Sequence, residues 1–151
     1  MAKIRAGVIR GKGIRTSSTW AEGLNIHEHG IEDSTIENID PPFTMSHARK
    51  PAGPQATTPS RPHYHGNCAR AIYVLKGRMR CYFGPPDKQE AFDVGPGDYI
   101  YCPKGQIHSG EVNLNPEEDL EWITVYVGVT SREASGRVFV DEHGNDLPDK
   151  S

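Results

Sequence analysis

His63 and His65 stand two residues apart in Arg61-Pro-His63-Tyr-His65-Gly-Asn-Cys68-Ala-Arg70, just ahead of the apolar run Ala71-Ile-Tyr-Val-Leu75. In an extended segment side chains alternate between faces, so both imidazoles point the same way. A rise of about 3.3 Å per residue sets their Cα atoms roughly 6–7 Å apart. At that separation two imidazoles can converge on one ion, with metal–nitrogen distances of about 2.0–2.2 Å. Paired histidines are also common on protein surfaces, so the pair needs a complement elsewhere in the chain. Gly95-Pro-Gly97-Asp98-Tyr-Ile-Tyr-Cys102-Pro103-Lys-Gly105-Gln-Ile-His108 supplies one. A tight turn launches a short apolar strand from Tyr99 to Cys102, and Pro103 and Gly105 bend the chain to deliver His108.

The two stretches together resemble the cupin superfamily. The second motif of that family reads Gly, five residues, Pro, any residue, Gly, two residues, His; Gly97, Pro103, Gly105 and His108 fit each position. The longer run from His63 to Arg80 also resembles bacterial cupins related by fold to sugar epimerases, in which a segment like Trp20-Ala-Glu-Gly-Leu24 precedes the barrel. The resemblance covers about residues 20 to 130. It also has departures. The family's glutamate ligand should follow the second histidine by four or five positions, where Ala69 and Arg70 stand. The glycine expected before the first histidine is Thr57, and the final asparagine is Val112, with Asn113 one place late. The resemblance therefore implies three metal ligands, His63, His65 and His108, as in the thiol dioxygenases and diketone-cleaving dioxygenases. It implies an all-β fold, the double-stranded β-helix or cupin jelly-roll barrel, with an N-terminal arm. In that fold the two motifs lie on neighbouring strands and their histidines meet inside the barrel mouth.

Three neutral imidazoles leave a divalent ion its full charge, which makes it a stronger Lewis acid toward an anionic substrate or hydroxide. The expected cofactor is one divalent metal ion, Fe(II) favoured, with Zn, Ni, Cu or Mn as alternatives. Only neutral imidazole binds, so affinity is expected to fall below about pH 6.5. Arg70 either enters the barrel to hold a substrate carboxylate or enolate, or turns outward to solvent or a partner subunit. Tyr73, like Tyr99 and Tyr101, offers a hydroxyl for substrate but suits an ordinary strand aromatic equally well. Gln106 could bond a ligand or serve the turn. The candidate catalytic residues are thus Arg70, Tyr73 and Gln106. The expected function is a metal-dependent, dioxygenase-like oxidoreductase acting on a small oxygenated or carboxylate metabolite. A non-catalytic small-molecule binding or sensing module is the alternative from another class, and a metal-dependent isomerase or decarboxylase the alternative within enzymes. Fold cannot separate these.

The elements that position these residues are short. The 151-residue chain suits one domain, and its 16 Gly and 12 Pro favour turns over long helices. Residues 1–39 read as an N-terminal arm, with Val8-Ile9 as an edge strand; 40–130 read as the barrel; 131–151 read as a polar tail. In the tail, Phe139 and Val140 could form a last edge strand or a dimer contact. Strands are expected at Phe43 to Ala48, around the histidine pair, at Ala71 to Leu75, Met79 to Phe83, Ala91 to Val94, Tyr99 to Cys102 and Leu120 to Val129. His27-Glu-His29 repeats the histidine spacing in a polar segment with no apolar strand behind it, and reads as a solvated loop or a packing contact with the arm rather than a metal site. His47 reads as a surface or satisfied residue, and Glu111 to Asp119 as a polar loop. Cys68, Cys81 and Cys102 read as free thiols, with Cys81 and Cys102 as buried small hydrophobes on apolar strands. A net charge of −3 points to neither nucleic acid nor membrane partners. The N-terminus lacks an apolar signal core, so a cytoplasmic protein is expected, with a small-molecule substrate and a homodimer as its partners.

Overall fold

Short runs of alternating residues, punctuated by Gly and Pro, build an almost helix-free chain. The structure, a computed structural model, describes residues 2–11, 17–18 and 24–148. Its strands are β1 (Ser17–Ser18), β2 (His27–Ile31), β3 (Phe43–Lys50), β4 (Ser60–His65), β5 (Ala69–Lys76), β6 (Met79–Phe83), β7 (Glu90–Val94), β8 (Tyr99–Cys102), β9 (His108–Asn113), β10 (Leu120–Val127) and β11 (Arg137–Phe139). They form two antiparallel sheets, in the orders β1-β2-β3-β10-β5-β8 and β11-β4-β9-β6-β7. This is the expected jelly-roll barrel. Among the described residues, no helix is long and apolar enough to cross a membrane.

The space between the sheets divides into an apolar part and a polar part. Ala48, Ile72, Val74, Ile100, Leu120 and Trp122 from one sheet pack against Met79 and Cys81 from the other, with Leu24 and Ile26 joining them. Val74, Met79 and Leu120 are fully buried, each worth about 1.5–3 kcal/mol of transfer free energy. The polar part begins where β3 and β10 turn small or polar residues inward. Thr44, Ser46 and Lys50 of β3 and Thr124 and Tyr126 of β10 are buried. The apolar stripes of those strands face outward, where Met45 pairs with Val125 and His47 with Ile123. Val125 in turn opposes Ala71, and Ile123 opposes Tyr73.

Four expectations need correction. The His27–His29 segment is strand β2, not a loop, because it pairs with β3 along its whole length. Val8 and Ile9 lie outside any strand; the nearby pairing is a bridge from Ile4 to Ile36. Residues 111–113 continue β9 rather than opening a loop, and β10 stops at Val127. Trp20 to Gly23 lie outside the described residues. The tail carries a strand that includes Phe139 but not Val140: β11 pairs with β4, setting Phe139 opposite His63 and Arg137 opposite His65.

Strand β9 is irregular in a way that shapes the interior. Its register against β6 shifts between Arg80 and Tyr82, so Gly110 and Glu111 together oppose Cys81. That extra residue is a β-bulge, and it breaks the two-residue alternation. Gly110 has φ +120° and Glu111 has φ +49°. A Cβ at Gly110 would meet the Arg80 carbonyl oxygen at 2.7 Å and the Cys81 Cα at 2.8 Å. Gly110→Ala is therefore expected to lower unfolding stability by about 2–4 kcal/mol through backbone strain and collision. Urea denaturation of the purified variant measures this, and a loss below about 0.5 kcal/mol would contradict the account.

Candidate metal centre

Strands β4 and β9 are neighbours, and His63 lies directly opposite His108. Alternation along β4 puts His65 on the same inward face. All three side chains are buried, at 1%, 3% and 1% exposure for His63, His65 and His108. Ring centroids are 5.0 Å apart for His63–His65, 4.4 Å for His63–His108 and 5.1 Å for His65–His108. One potential ligand atom from each ring lies within 4.8 Å of the others. Among the described residues this is the group of three or more His, Cys, Asp or Glu side chains that meets the distance.

The outer nitrogens are already engaged. His63 Nδ1 lies 2.6 Å from the Arg61 carbonyl oxygen, and His108 Nδ1 lies 2.9 Å from the Gln106 carbonyl oxygen. A carbonyl only accepts, so each Nδ1 carries the proton and each Nε2 presents a lone pair. His65 Nδ1 contacts the Ser135 hydroxyl at 2.9 Å. Buried Nε2 atoms of His65 and His108 meet no hydrogen-bond acceptor or donor among the described residues. Buried polar atoms are seldom left so. Lone pairs directed into one space, with their far nitrogens anchored, fit a divalent ion.

Burial keeps the imidazoles neutral. It pulls His63 down to about 4, against the opposing pull of the Arg61 carbonyl. Burial likewise lowers His65 and His108, and the Arg70 guanidinium adds to both shifts. Arg70 is buried inside the barrel, where its Nη1 donates to Glu111 Oε1 at 2.8 Å. Burial alone would raise the Glu111 carboxyl, but the Arg70 charge and hydrogen bond, with His63 and Lys50, together outweigh it and hold the group below its usual range. The pair joins β5 of one sheet to β9 of the other. Fully buried Lys50 makes a second tie, donating to the Glu111 carbonyl at 2.8 Å and to the Thr58 carbonyl. Burial lowers Lys50 to about 8, with Glu111 opposing. Next to the ion pair lies a small cavity of about 20 Å³ whose lining includes Glu28, Arg70, Glu111, Trp122, Thr124 and Tyr126. That is room for about one water.

The other sequence candidates fall elsewhere. Tyr73 is on the outer face of β5, stacked against Tyr99 with ring centroids 4.8 Å apart. Arg70 and Tyr73 are three apart on a regular strand, so one points in and the other out. Gln106 reaches the site through its backbone carbonyl; its side chain donates to the Ile107 carbonyl. His47 is satisfied at the outer face by Glu121 at 2.8 Å. Sequence reasoning missed Glu111, Tyr126 and Ser135. Tyr126 was accessible from the period of β10, two and four residues beyond Thr124 and Trp122. Glu111 was hidden by the bulge, and nothing local marks Ser135.

The family model described as "Cupin domain" matches residues 52–126. The polyketide cyclase RemF from Streptomyces resistomycificus is similar in structure, with a TM-score of 0.65 at 22% identity, over 91% of this chain and 90% of that one. A variant of oxalate decarboxylase from Bacillus subtilis aligns at TM-score 0.61 and 20% identity, over 87% of this chain but 33% of its own length. Oxalate oxidase aligns at TM-score 0.61 and 17% identity, over 87% of this chain and 63% of that chain. At these identities the likeness is one of fold. None of the curated protein sequences matches this chain.

The histidine environment revises the pH window expected from free imidazole. In the unfolded chain these residues titrate near about 6.5. In the folded chain His63 stays neutral down to about 4. Protons therefore do not compete for the folded site until well below pH 6. Equilibrium dialysis against Zn(II) should give constant metal content from pH 8 to pH 5, and a midpoint of metal loss near 6.5 would refute it. The sign for stability is opposite in origin. Between about 6.5 and 4 the unfolded chain binds protons that the folded chain refuses, so the chelator-treated protein should lose stability as pH falls through that window.

Proposed function

We propose, from the premise that this chain belongs to the cupin superfamily, that it is a mononuclear metal-dependent enzyme, a dioxygenase-like oxidoreductase acting on a small oxygenated or carboxylate metabolite. One observation carries the reading: three buried imidazoles direct ring nitrogens into one space, with no carboxylate in the group. An ion held there keeps its whole charge. Fe(II) suits a three-ligand site with open positions, and Zn, Ni or Cu also suit imidazole. Mn(II) centres are known in Bacillus subtilis oxalate decarboxylase, a protein of similar fold. When bound, Fe(II) supplies Lewis acidity and one-electron chemistry toward O₂.

The chain's own groups do the positioning. Arg70 spends Nη1 on Glu111, while its buried Nε–H meets no acceptor among the described residues. That N–H is a donor for a substrate oxygen or for a water in the adjoining cavity. Tyr126 lies 5.3 Å from the His65 ring, centroid to centroid, and burial raises its phenol, so it stays protonated and can donate. Near-complete burial of the three histidines excludes bulk water, which strengthens each of these interactions.

Anaerobic reconstitution with Fe(II), followed by O₂ uptake with β-diketone, thiol-acid and catechol-like substrates, tests the reading. Turnover with one substrate class is expected, falling at least about a hundredfold in Arg70→Met, as for loss of a transition-state donor. If no metal supports turnover across the panel while a ligand still raises Tm, the protein is a binding module instead.

We also propose a homodimer. The observation behind it is the outer face of the six-stranded sheet, where Met45, Tyr73, Tyr99, Tyr101 and Val127 are exposed. Light scattering after size exclusion should give twice the chain mass, and Val127→Glu should shift it toward the monomer.

A further inference from the structure

The three histidines are not anchored alike. His63 Nδ1 faces the Arg61 carbonyl at 2.6 Å, and His108 Nδ1 faces the Gln106 carbonyl at 2.9 Å. A carbonyl cannot donate, so both rings are fixed with the proton on Nδ1. Cys102 Sγ also lies 3.1 Å from His108 Nδ1, but the thiol has the Gln106 carbonyl at 3.6 Å to donate to. His65 Nδ1 faces the Ser135 hydroxyl at 2.9 Å instead. A hydroxyl donates and accepts, and its hydrogen rotates to suit. His65 alone of the three can therefore carry its proton on either nitrogen and keep its anchor, and it is neutral in both forms. Ser135 is itself held in place. It is buried, and its carbonyl accepts from the Asn67 N–H at 3.1 Å. The Gly66 N–H donates to the Gly136 carbonyl at 2.9 Å, and Asn67 Nδ2 to the Ala134 carbonyl at 3.0 Å. The hydroxyl is thus tied by backbone to the residues that follow His65.

The nitrogens that face inward decide which form of His65 is favoured. One from each ring lies within 4.8 Å of the other two. With Nδ1 protonated, His63 and His108 turn lone pairs toward this common space. A third lone pair there is repelled by the first two, and burial leaves that repulsion poorly screened; an N–H is attracted to them. A divalent ion reverses the preference, because it binds deprotonated nitrogen only. We propose that Ser135 is a positioning residue that lets His65 exchange tautomers. In the metal-free protein its hydroxyl donates to Nδ1 and the ring proton sits on Nε2. When Nε2 takes an ion, the hydroxyl accepts from Nδ1–H. One N–H bond breaks at Nε2 and one forms at Nδ1, with water carrying the proton, so the ring keeps its count. His63 and His108 are preset ligands, and His65 is the one that answers the ion. This rests on the ion-binding part of the function proposed above and on no reaction.

The test is a two-bond ¹H–¹⁵N correlation spectrum of the histidine rings, recorded on chelator-treated protein and again after Zn(II) is added. His63 and His108 should show Nδ1–H in both spectra. His65 should show Nε2–H without the ion and Nδ1–H with it. Zn(II) affinity, measured by competition with a chelator, should fall about 10–100-fold in Ser135→Ala, the range for losing a group that orients a metal-bound histidine. Ser135→Thr keeps the hydroxyl and should restore both the affinity and the change of tautomer. Ser131→Ala removes a hydroxyl of the same segment that accepts from the Ala134 N–H, and it should bind Zn(II) as wild type does. His65 with Nδ1–H in both spectra, or undiminished Zn(II) affinity in Ser135→Ala, would overturn the proposal. If Ser135→Ala does not fold, the two wild-type spectra decide alone. The failures are distinguishable. Zn(II) uptake with an unchanging His65 tautomer removes this proposal and leaves the metal centre. No Zn(II) uptake removes the metal centre, and the exchange with it.

Discussion

A guanidinium and a carboxylate 2.8 Å apart span the two sheets of this barrel from inside. Their partnership is what allows a polar chamber to exist in so small a domain. Arg70 is too close to the histidines to be left without a counter-charge, and Glu111 too buried to be left without a cation. Each makes the other tolerable, and removing either alone from such a buried pair costs about 3–5 kcal/mol. Lys50 then fixes the backbone that carries Glu111. The histidines inherit from this arrangement a fixed wall, while their own burial keeps them neutral.

The relation to the family pattern follows from the same pair. Where cupins commonly place a glutamate after the histidine pair, this strand carries Arg70, which still points inward. A carboxylate returns from the opposite sheet, three residues beyond His108, but it answers the arginine and lies outside the compact group of potential ligands. The Arg70 charge is thus answered inside the barrel while the group that could hold a metal stays all-imidazole.

Much of this was legible in the chain. The two-residue period of β4 and the turn chemistry before β8 and His108 encode their own geometry, and Gly105 at φ +85° takes the conformation its position requires. The barrel itself came from motif resemblance, since short alternating strands alone fit several β folds. Which face of β3 and β10 turns inward was not legible. Hydrophobicity favours Phe43, Met45, Ile123 and Val125, yet the interior takes Lys50, Ser46, Thr124 and Tyr126 because it must satisfy the chamber's charges. Glu111 was hidden for a different reason: a bulge shifts the parity of every residue after it, and only the strained Gly110 hints that one is present. Arg137 and Ser135 meet the histidines through long-range pairing that no local pattern records.

The hydroxyl that steadies His65 and the strand that flanks both β4 histidines belong to residues 135–139, some seventy positions after the histidine pair. During synthesis on the ribosome, therefore, the two ligand-bearing strands emerge and can pair well before the segment that braces them. The bracing of the histidine group is complete only when residues 135–139 have docked.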